Sequence, residues 1–226
     1  MADRCLLYYI TDRSQFRGDE SARRRALLAK VAEAARAGVD YIQLREKDLS
    51  ARDLETLARD ALSAVRNSAP LRTENRELRT RLLINSRTDV ALAAGADGVH
   101  LRADDVALHE VRQVLEVSAH RPLTTDHFLV AASCHTAADV FHAESEAADF
   151  AVFAPVFGKR GTAGTPPAGL AALREACRAK IRVFALGGVT IENAASCLKA
   201  GAAGIAAIRL FQENKIEDVV RALRAL

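Results

Sequence analysis

Strand-like and helix-like segments alternate along the whole chain, and that alternation restricts the fold more than any other feature. Short apolar runs read as strands over 5–10, 41–44, 81–84, 98–101, 129–132, 150–153, 182–186 and 205–208. Longer segments with helical periodicity read as helices over 21–37, 51–66, 89–94, 106–117, 137–146, 170–179, 191–200 and 216–226. Ser50, Thr136 and Thr190 stand where three of these helices need N-caps. Strands separated by helices pair in parallel. Eight such units in 226 residues predict a (β/α)8 TIM barrel, with residues 1–226 as a single domain. An open doubly wound sheet is the other arrangement the pattern permits.

A short repeat supports the barrel. Ala37-Gly38-Val39-Asp40, Ala94-Gly95-Ala96-Asp97 and Ala200-Gly201-Ala202-Ala203 each join a helix end to a strand, and Ala147-Ala148-Asp149 does the same without glycine. Glycine ends helices in the left-handed conformation, so these are tight αβ turns at the stable end of a barrel. Function is then expected at the opposite end, on the βα loops. Two charged or irregular stretches, 67–80 and 119–127, read as insertions. Tryptophan is absent and aromatics are scarce, so the core is expected to be aliphatic, with helices packed closely through alanine.

Composition excludes several function classes. The net charge is +3 with acids and bases mixed, which carries no nucleic-acid footprint; the basic stretches Arg23-Arg24-Arg25 and 72–81 read as solvated faces. No apolar run approaches the ~18 residues of a transmembrane helix, so no membrane partner is expected. Cys5, Cys134, Cys177 and Cys197 have no metal-binding spacing and follow no signal peptide; they read as free thiols of a cytoplasmic protein. A homo-oligomer is compatible with the sequence.

The chemistry gathers at the strand ends. Gln43, Arg45 and Lys47 alternate where the second strand runs out, and alternate residues of a strand share a face. Three such groups on a mostly buried strand are costly unless they meet a cleft or an anion. The other strands end on Thr11-Asp12, Asn85-Ser86-Arg87, His100, Ser133 with His135, the loop after Pro155, Gly187-Gly188, and Arg209. Eight polar ends on one rim describe a polar pocket. Gly187-Gly188, between a strand and a helix, has the form of a phosphate-binding turn. The glycine-rich basic loop 157–165 is either a lid over an anion or a surface loop. Asp105 is a candidate Mg²⁺ ligand or a helix cap. His135 is a candidate acid–base group or a structural histidine, and Cys134, between Ser133 and His135, is expected to point away from the pocket. His109, His120, His127 and His142 are expected on the surface without partners.

Several segments in this order resemble the thiamine phosphate synthase family over nearly the whole chain: Tyr9-Ile10-Thr11-Asp12, Gln43-Leu44-Arg45-Glu46-Lys47-Asp48, Leu83-Ile84-Asn85, Gly95-Ala96-Asp97-Gly98-Val99-His100-Leu101, Ser133-Cys134-His135-Thr136 and Gly187-Gly188-Val189. The resemblance implies a barrel enzyme, a transferase that joins a hydroxymethylpyrimidine pyrophosphate to a thiazole phosphate and releases pyrophosphate. It implies small-molecule phosphate and pyrophosphate substrates and a Mg²⁺ cofactor. Gln43, Arg45, Lys47 and Asn85 would contact the pyrimidine pyrophosphate, Asp105 would hold Mg²⁺, and Ser133 would lie beside the reacting groups. Gly187, Gly188 and the Ile208 turn would cradle the thiazole phosphate.

Three departures from the family pattern are visible. Ser86 stands where an aspartate is usual. The strand 6 loop carries Lys159-Arg160-Gly161-Thr162 where Thr-x-Thr-Lys is usual, so Lys159 and Thr162 become the candidate pyrophosphate ligands. Arg209 stands where a small residue is usual, and would either pair with the phosphate or fill its space. A neighbouring branch, the TenI-type thiazole tautomerases, shares the fold and aromatises a thiazole carboxylate phosphate by proton transfer, with His135 at the acid–base position. Lys47 and Asp105 favour the synthase; Ser86 and the altered loop favour the tautomerase. A non-catalytic phosphate-binding barrel is the third alternative, and the intact Gln43, Arg45 and Lys47 set argues against it.

Overall fold

Eight parallel strands close on themselves in chain order in this computed structural model, which describes residues 4–68, 79–118, 127–158 and 166–226. They are β1 (Leu6–Ile10), β2 (Tyr41–Leu44), β3 (Arg81–Asn85), β4 (Gly98–Leu101), β5 (Leu129–Cys134), β6 (Phe150–Phe153), β7 (Arg182–Ala185) and β8 (Gly204–Ala207). Outside them lie α1 (Glu20–Ala37), α2 (Ala51–Ser68), α3 (Thr88–Ala94), α4 (Leu108–Ser118), α5 (Ala137–Ser145), α6 (Gly169–Ala176) and α7 (Ile191–Lys199). A one-turn helix α8 (Arg209–Gln212) and a final α9 (Ile216–Arg224) follow β8. The expected barrel is therefore observed, with most element ends within two residues of expectation. α8 and a 3₁₀ turn at Arg13–Gln15 were not expected, because four- and three-residue helices carry no readable period. The insertions at 67–80 and 119–127 lie largely outside the described residues.

Side chains alternate across each strand, which splits the core into two layers. Outward residues such as Leu7, Ile42, Ile84, Val99, Val130 and Ile205 pack against the helices. There the expected aliphatic, alanine-lined packing holds: α2 buries Leu54, Leu57, Ala58, Ala61, Leu62 and Val65. The barrel interior differs from expectation. Its floor is an aromatic plug of Tyr8, Tyr41, Phe150 and Phe184, with ring centroids 5.0 Å apart for Tyr41–Phe150 and 5.1 Å for Phe150–Phe184. A closed eight-stranded barrel has an interior just wide enough for side chains to fill, and a few large rings do so with tilted and edge-on contacts. The scarce aromatics are thus concentrated where volume is needed.

The αβ turns form a second repeat in three dimensions. Gly38 and Gly95 end α1 and α3 in the left-handed conformation, at φ 81° and 72°. Two residues later, Asp40 and Asp97 turn a carboxylate back to the adjacent strand. Asp40 accepts from Leu7 N and Asp97 from Leu82 N, at 2.7 and 2.8 Å. Asp149 does the same for Val130 N at 2.7 Å. Each carboxylate also holds a guanidinium: Arg4 and Arg224 on Asp40, Arg79 on Asp97, Arg112 on Asp149. His127 joins Asp149 at 2.6 Å and His109 pairs with Glu146, so these two histidines have partners where none was expected.

Candidate functional site

At the C-terminal ends of the strands the aromatic floor gives way to polar side chains around a cavity of about 760 Å³. The same inward alternation that places Tyr8 and Tyr41 in the plug places Gln43, Asn85, His100 and Ser133 one layer higher. Arg45, His135, Gly187, Arg102 and Asp104 complete the polar rim. Apolar walls come from Ile10, Val152, Leu186 and Pro155.

Four of these groups form one hydrogen-bonded line. Gln43 Nε2 donates to the Tyr8 hydroxyl oxygen at 3.3 Å, and Tyr8 lies 3.0 Å from His100 Nδ1. The Tyr8 hydroxyl is fully buried, so its proton goes to the acceptor within reach, Nδ1. The imidazole proton then sits on Nε2 and donates to Ser133 Oγ at 2.8 Å. Ser133 is left with its own O–H to offer into the cavity. Burial, followed by the nearby Arg45 charge, pushes His100 down to about 3, so the ring is neutral at physiological pH. Burial likewise raises the Tyr8 hydroxyl far above its ordinary range. The line is thus uncharged and has one defined proton order.

Charge enters at the mouth. Arg45 follows the last residue of β2, and Lys47 lies two residues further, exposed. Repulsion from Arg45, then partial burial and Arg102, hold the Lys47 ammonium below the usual lysine range. Neither side chain has an ion-pair partner among the described residues. Their neighbours do: Arg13 with Asp48, Arg87 with Asp89, Arg102 with Asp105.

Across the cavity, Gly187 and Gly188 adopt φ 97° and 62°. A Cβ on Gly187 would lie 2.7 Å from Pro155 Cα, and one on Gly188 2.7 Å from the Gly158 carbonyl. Only glycine lets this turn sit under the β6–α6 loop. Asn193 braces it, donating to Gly188 O at 3.0 Å and accepting from Thr190 N at 2.8 Å.

The structure therefore brings Gln43, Arg45, Asn85, Ser133, His135, Gly187 and Ile208 to one cavity. Lys47 reaches its mouth rather than its wall, because β2 stops at Leu44 and the shared face ends with it. Gly188 lies behind Gly187, beneath Phe157, and Arg209 is exposed as the first residue of α8. His135 is exposed at the rim with Nδ1 2.7 Å from the Ala154 carbonyl. Cys134 faces the helices, as expected. Lys159 and Thr162 lie outside the described residues. Tyr8 was not among the expected site residues and His100 was expected only as a polar strand end, although inward alternation from the plug marks both.

Asp105 does not cap α4. Its two oxygens accept from Arg102, at 2.7 Å from the backbone N and 3.2 Å from Nη2. No group of three carboxylate, imidazole or thiol side chains is placed to hold a metal ion among the described residues. The carboxylates that the mouth offers a hard cation, Asp104 and Asp105, both pair with Arg102. Magnesium ordinarily completes its shell with substrate phosphate and water, so an ion there would depend on a bound pyrophosphate for most of its ligands.

A family model described as thiamine monophosphate synthase matches residues 7–211. The thiamine-phosphate synthase of Methanoculleus marisnigri is 37% identical over 222 residues, covering 96% of this chain and 93% of that one. That of Syntrophomonas wolfei is 36% identical over 225 residues, covering 97% and 95%. Among solved structures, the thiamine phosphate pyrophosphorylase of Pyrococcus furiosus superposes with a TM-score of 0.75 at 26% identity, covering 99% of this chain and 95% of the other.

Proposed function

The chain belongs to the thiamine monophosphate synthase family, and from that premise we propose that its cavity joins a hydroxymethylpyrimidine pyrophosphate to a thiazole phosphate. The bond from the pyrimidine methylene to the pyrophosphate oxygen breaks and the pyrophosphate keeps the electron pair. The thiazole nitrogen then forms its bond to that methylene carbon, giving thiamine phosphate. The carbon carries positive charge between the two events, so the protein's task is to stabilise the leaving anion and hold the two rings in line.

The observation that carries this reading is the pair of cations at the cavity mouth, Arg45 and Lys47, that make no ion pair among the described residues. Arg45 repels the Lys47 ammonium, and an anion between the two would relieve that repulsion. Arg45 and Lys47 receive the leaving pyrophosphate. Gln43, Asn85 and Ser133 hold the pyrimidine, Ser133 as a donor whose proton order is set by His100. The Gly187 turn and Ile208 receive the thiazole phosphate. Asp105 would hold Mg²⁺, which when bound supplies further positive charge to the leaving group. Lys159 and Thr162 remain candidates for the same anion.

The decisive test is mass spectrometry of the purified protein with Mg²⁺, hydroxymethylpyrimidine pyrophosphate and thiazole phosphate. Thiamine phosphate and pyrophosphate in equal amounts, at a catalytic rate, are expected. No product from folded protein would overturn the proposal, and conversion of an unaromatised thiazole carboxylate phosphate would then assign the cavity, with His135 as acid–base group, to the tautomerase chemistry.

A further inference from the structure

Behind Arg45 and Lys47, on the opposite side of the same turn, lies a buried charge cluster that the proposed reaction does not use. Glu46 is 5% exposed, and Arg13 and Thr11 are equally enclosed. Glu46 Oε1 accepts from the Thr11 hydroxyl at 2.6 Å. Its Oε2 accepts from Arg13 N at 3.0 Å and Arg13 Nη1 at 3.1 Å. The Arg13 guanidinium also grips both oxygens of Asp48, at 2.7 and 2.8 Å, and Glu20 at 2.9 Å. The Thr11 hydroxyl closes the circuit: it donates to Glu46 and accepts from the backbone N of Arg45 at 3.0 Å.

Stability alone does not explain this arrangement. A buried ion pair is often matched or bettered by apolar residues of the same volume. What the cluster does is sort charge along four residues. Arg45 and Lys47 alternate with Glu46 and Asp48 in the chain. Left to themselves, neighbouring carboxylates and cations would neutralise one another. Arg13 instead draws both carboxylates to the far side, and Thr11 fixes the Arg45 backbone to the end of β1. We propose that Thr11, Arg13 and Glu46 are positioning residues: they hold the β2–α2 turn so that Arg45 and Lys47 stay unpaired and aimed at the pyrophosphate of the substrate. The inference rests on the reading of that site as a pyrophosphate site.

The test compares Thr11→Val, Thr11→Ser and Arg13→Met with wild type. Thr11→Val keeps the shape and removes the bridging hydroxyl; Thr11→Ser keeps the hydroxyl and removes a fully buried methyl. The readouts are the affinity for inorganic pyrophosphate by isothermal titration calorimetry, the KM of each substrate, and thermal stability. Thr11→Val and Arg13→Met are expected to weaken pyrophosphate binding and raise the KM for the pyrimidine pyrophosphate about tenfold or more, as for lost hydrogen bonds to a charged group. The KM for thiazole phosphate should stay within about twofold of wild type, since Gly187 and Ile208 stand across the cavity. Thr11→Ser should bind pyrophosphate and both substrates like wild type and lose only the stability of its packed methyl, whereas Thr11→Val also strands the Arg45 N–H and a Glu46 oxygen.

The selectivity of the loss separates the two roles. A purely structural cluster impairs both substrates alike in proportion to lost stability. Pyrophosphate affinity that does not fall in Thr11→Val and Arg13→Met, or KM values that change equally for both substrates, overturn the proposal, as does a wild-type protein that does not bind pyrophosphate. If wild type binds pyrophosphate and the variants lose it in the expected order, yet no thiamine phosphate forms, the positioning role stands and the proposed reaction falls.

Discussion

The two ends of the barrel treat charge in opposite ways. At the αβ end, each of Asp40, Asp97 and Asp149 caps a strand N–H and holds an arginine. At the βα end, Arg45 and Lys47 make no ion pair among the described residues, while a dedicated arginine holds Glu46 and Asp48. One end has its hydrogen bonds closed within the fold; the other keeps its strongest groups open for a ligand. The contrast teaches where energy was placed for stability and where for binding, and it makes opposite substitutions at the two ends informative.

The largest effect is expected at the open end. Arg45→Ala should lower kcat/KM with the pyrimidine pyrophosphate on the order of a hundredfold, and Lys47→Ala more than tenfold, as for lost charge stabilisers of a leaving group. Neither should lower the melting temperature, since neither side chain has a partner to abandon among the described residues. Steady-state kinetics and a thermal scan of the same samples check both. A variant that melts early at full specific activity would assign the residue to the fold instead.

The converse test is at the closed end. Asp149→Ala removes the acceptor of Val130 N and the partner of Arg112 and His127. The stranded donors should cost about 2 kcal/mol of stability. Activity per folded molecule should not change, because the site lies at the other end of the strands. Urea unfolding beside kinetics reads both; a changed KM would show that the two ends are coupled.

A third expectation concerns the uncharged line between the ends. His100 is held at about 3 in the fold, against an ordinary 6.5 when unfolded. As pH falls below 6.5 the unfolded chain takes a proton that the folded chain refuses, so stability falls with pH down to about 3. The slope from this one group is at most about 1.4 kcal/mol per pH unit. Denaturant titrations between pH 7 and 5 should show a shallower loss for His100→Asn than for wild type. An unchanged slope would mean that the ring is protonated in the fold, and the Ser133 proton order would be lost with it.

How much of this was legible in the sequence follows from the range of each signal. Strand and helix periods repeat over a few residues, so the eight units and the strand ends with Gln43, Asn85 and Ser133 could be read directly. The line Tyr8–His100–Ser133 joins three strands, and the Glu46 cluster joins two loops. No spacing along the chain encodes those meetings; only barrel closure makes them. Nothing in the positions of Glu46 and Arg13 along the chain marks them as partners. The aromatic plug was missed for a related reason: composition reports how many rings a chain has, and register decides where they gather.

The smallest expected effects come from two strained residues, one at each end. Ser86, at the open end, and Ala147, at the closed end, both hold a positive φ, 62° and 61°. Ala147 stands where Gly38 and Gly95 stand in the sister turns. A left-handed non-glycine residue costs roughly 1–2 kcal/mol, and glycine's extra freedom in the unfolded chain returns about half of any gain. Ala147→Gly should therefore stabilise by about 0.5–1 kcal/mol with unaltered kinetics. Ser86→Gly should gain as much in stability, but it also deletes the hydroxyl that accepts from Asn85 Nδ2 at 3.0 Å and steadies that amide over the cavity. Its KM for the pyrimidine pyrophosphate should rise, by a few-fold at most for one neutral hydrogen bond. If Ser86→Gly gains stability and keeps its KM, the strain at the open end serves no ligand, and the contrast between the two ends narrows to charge alone.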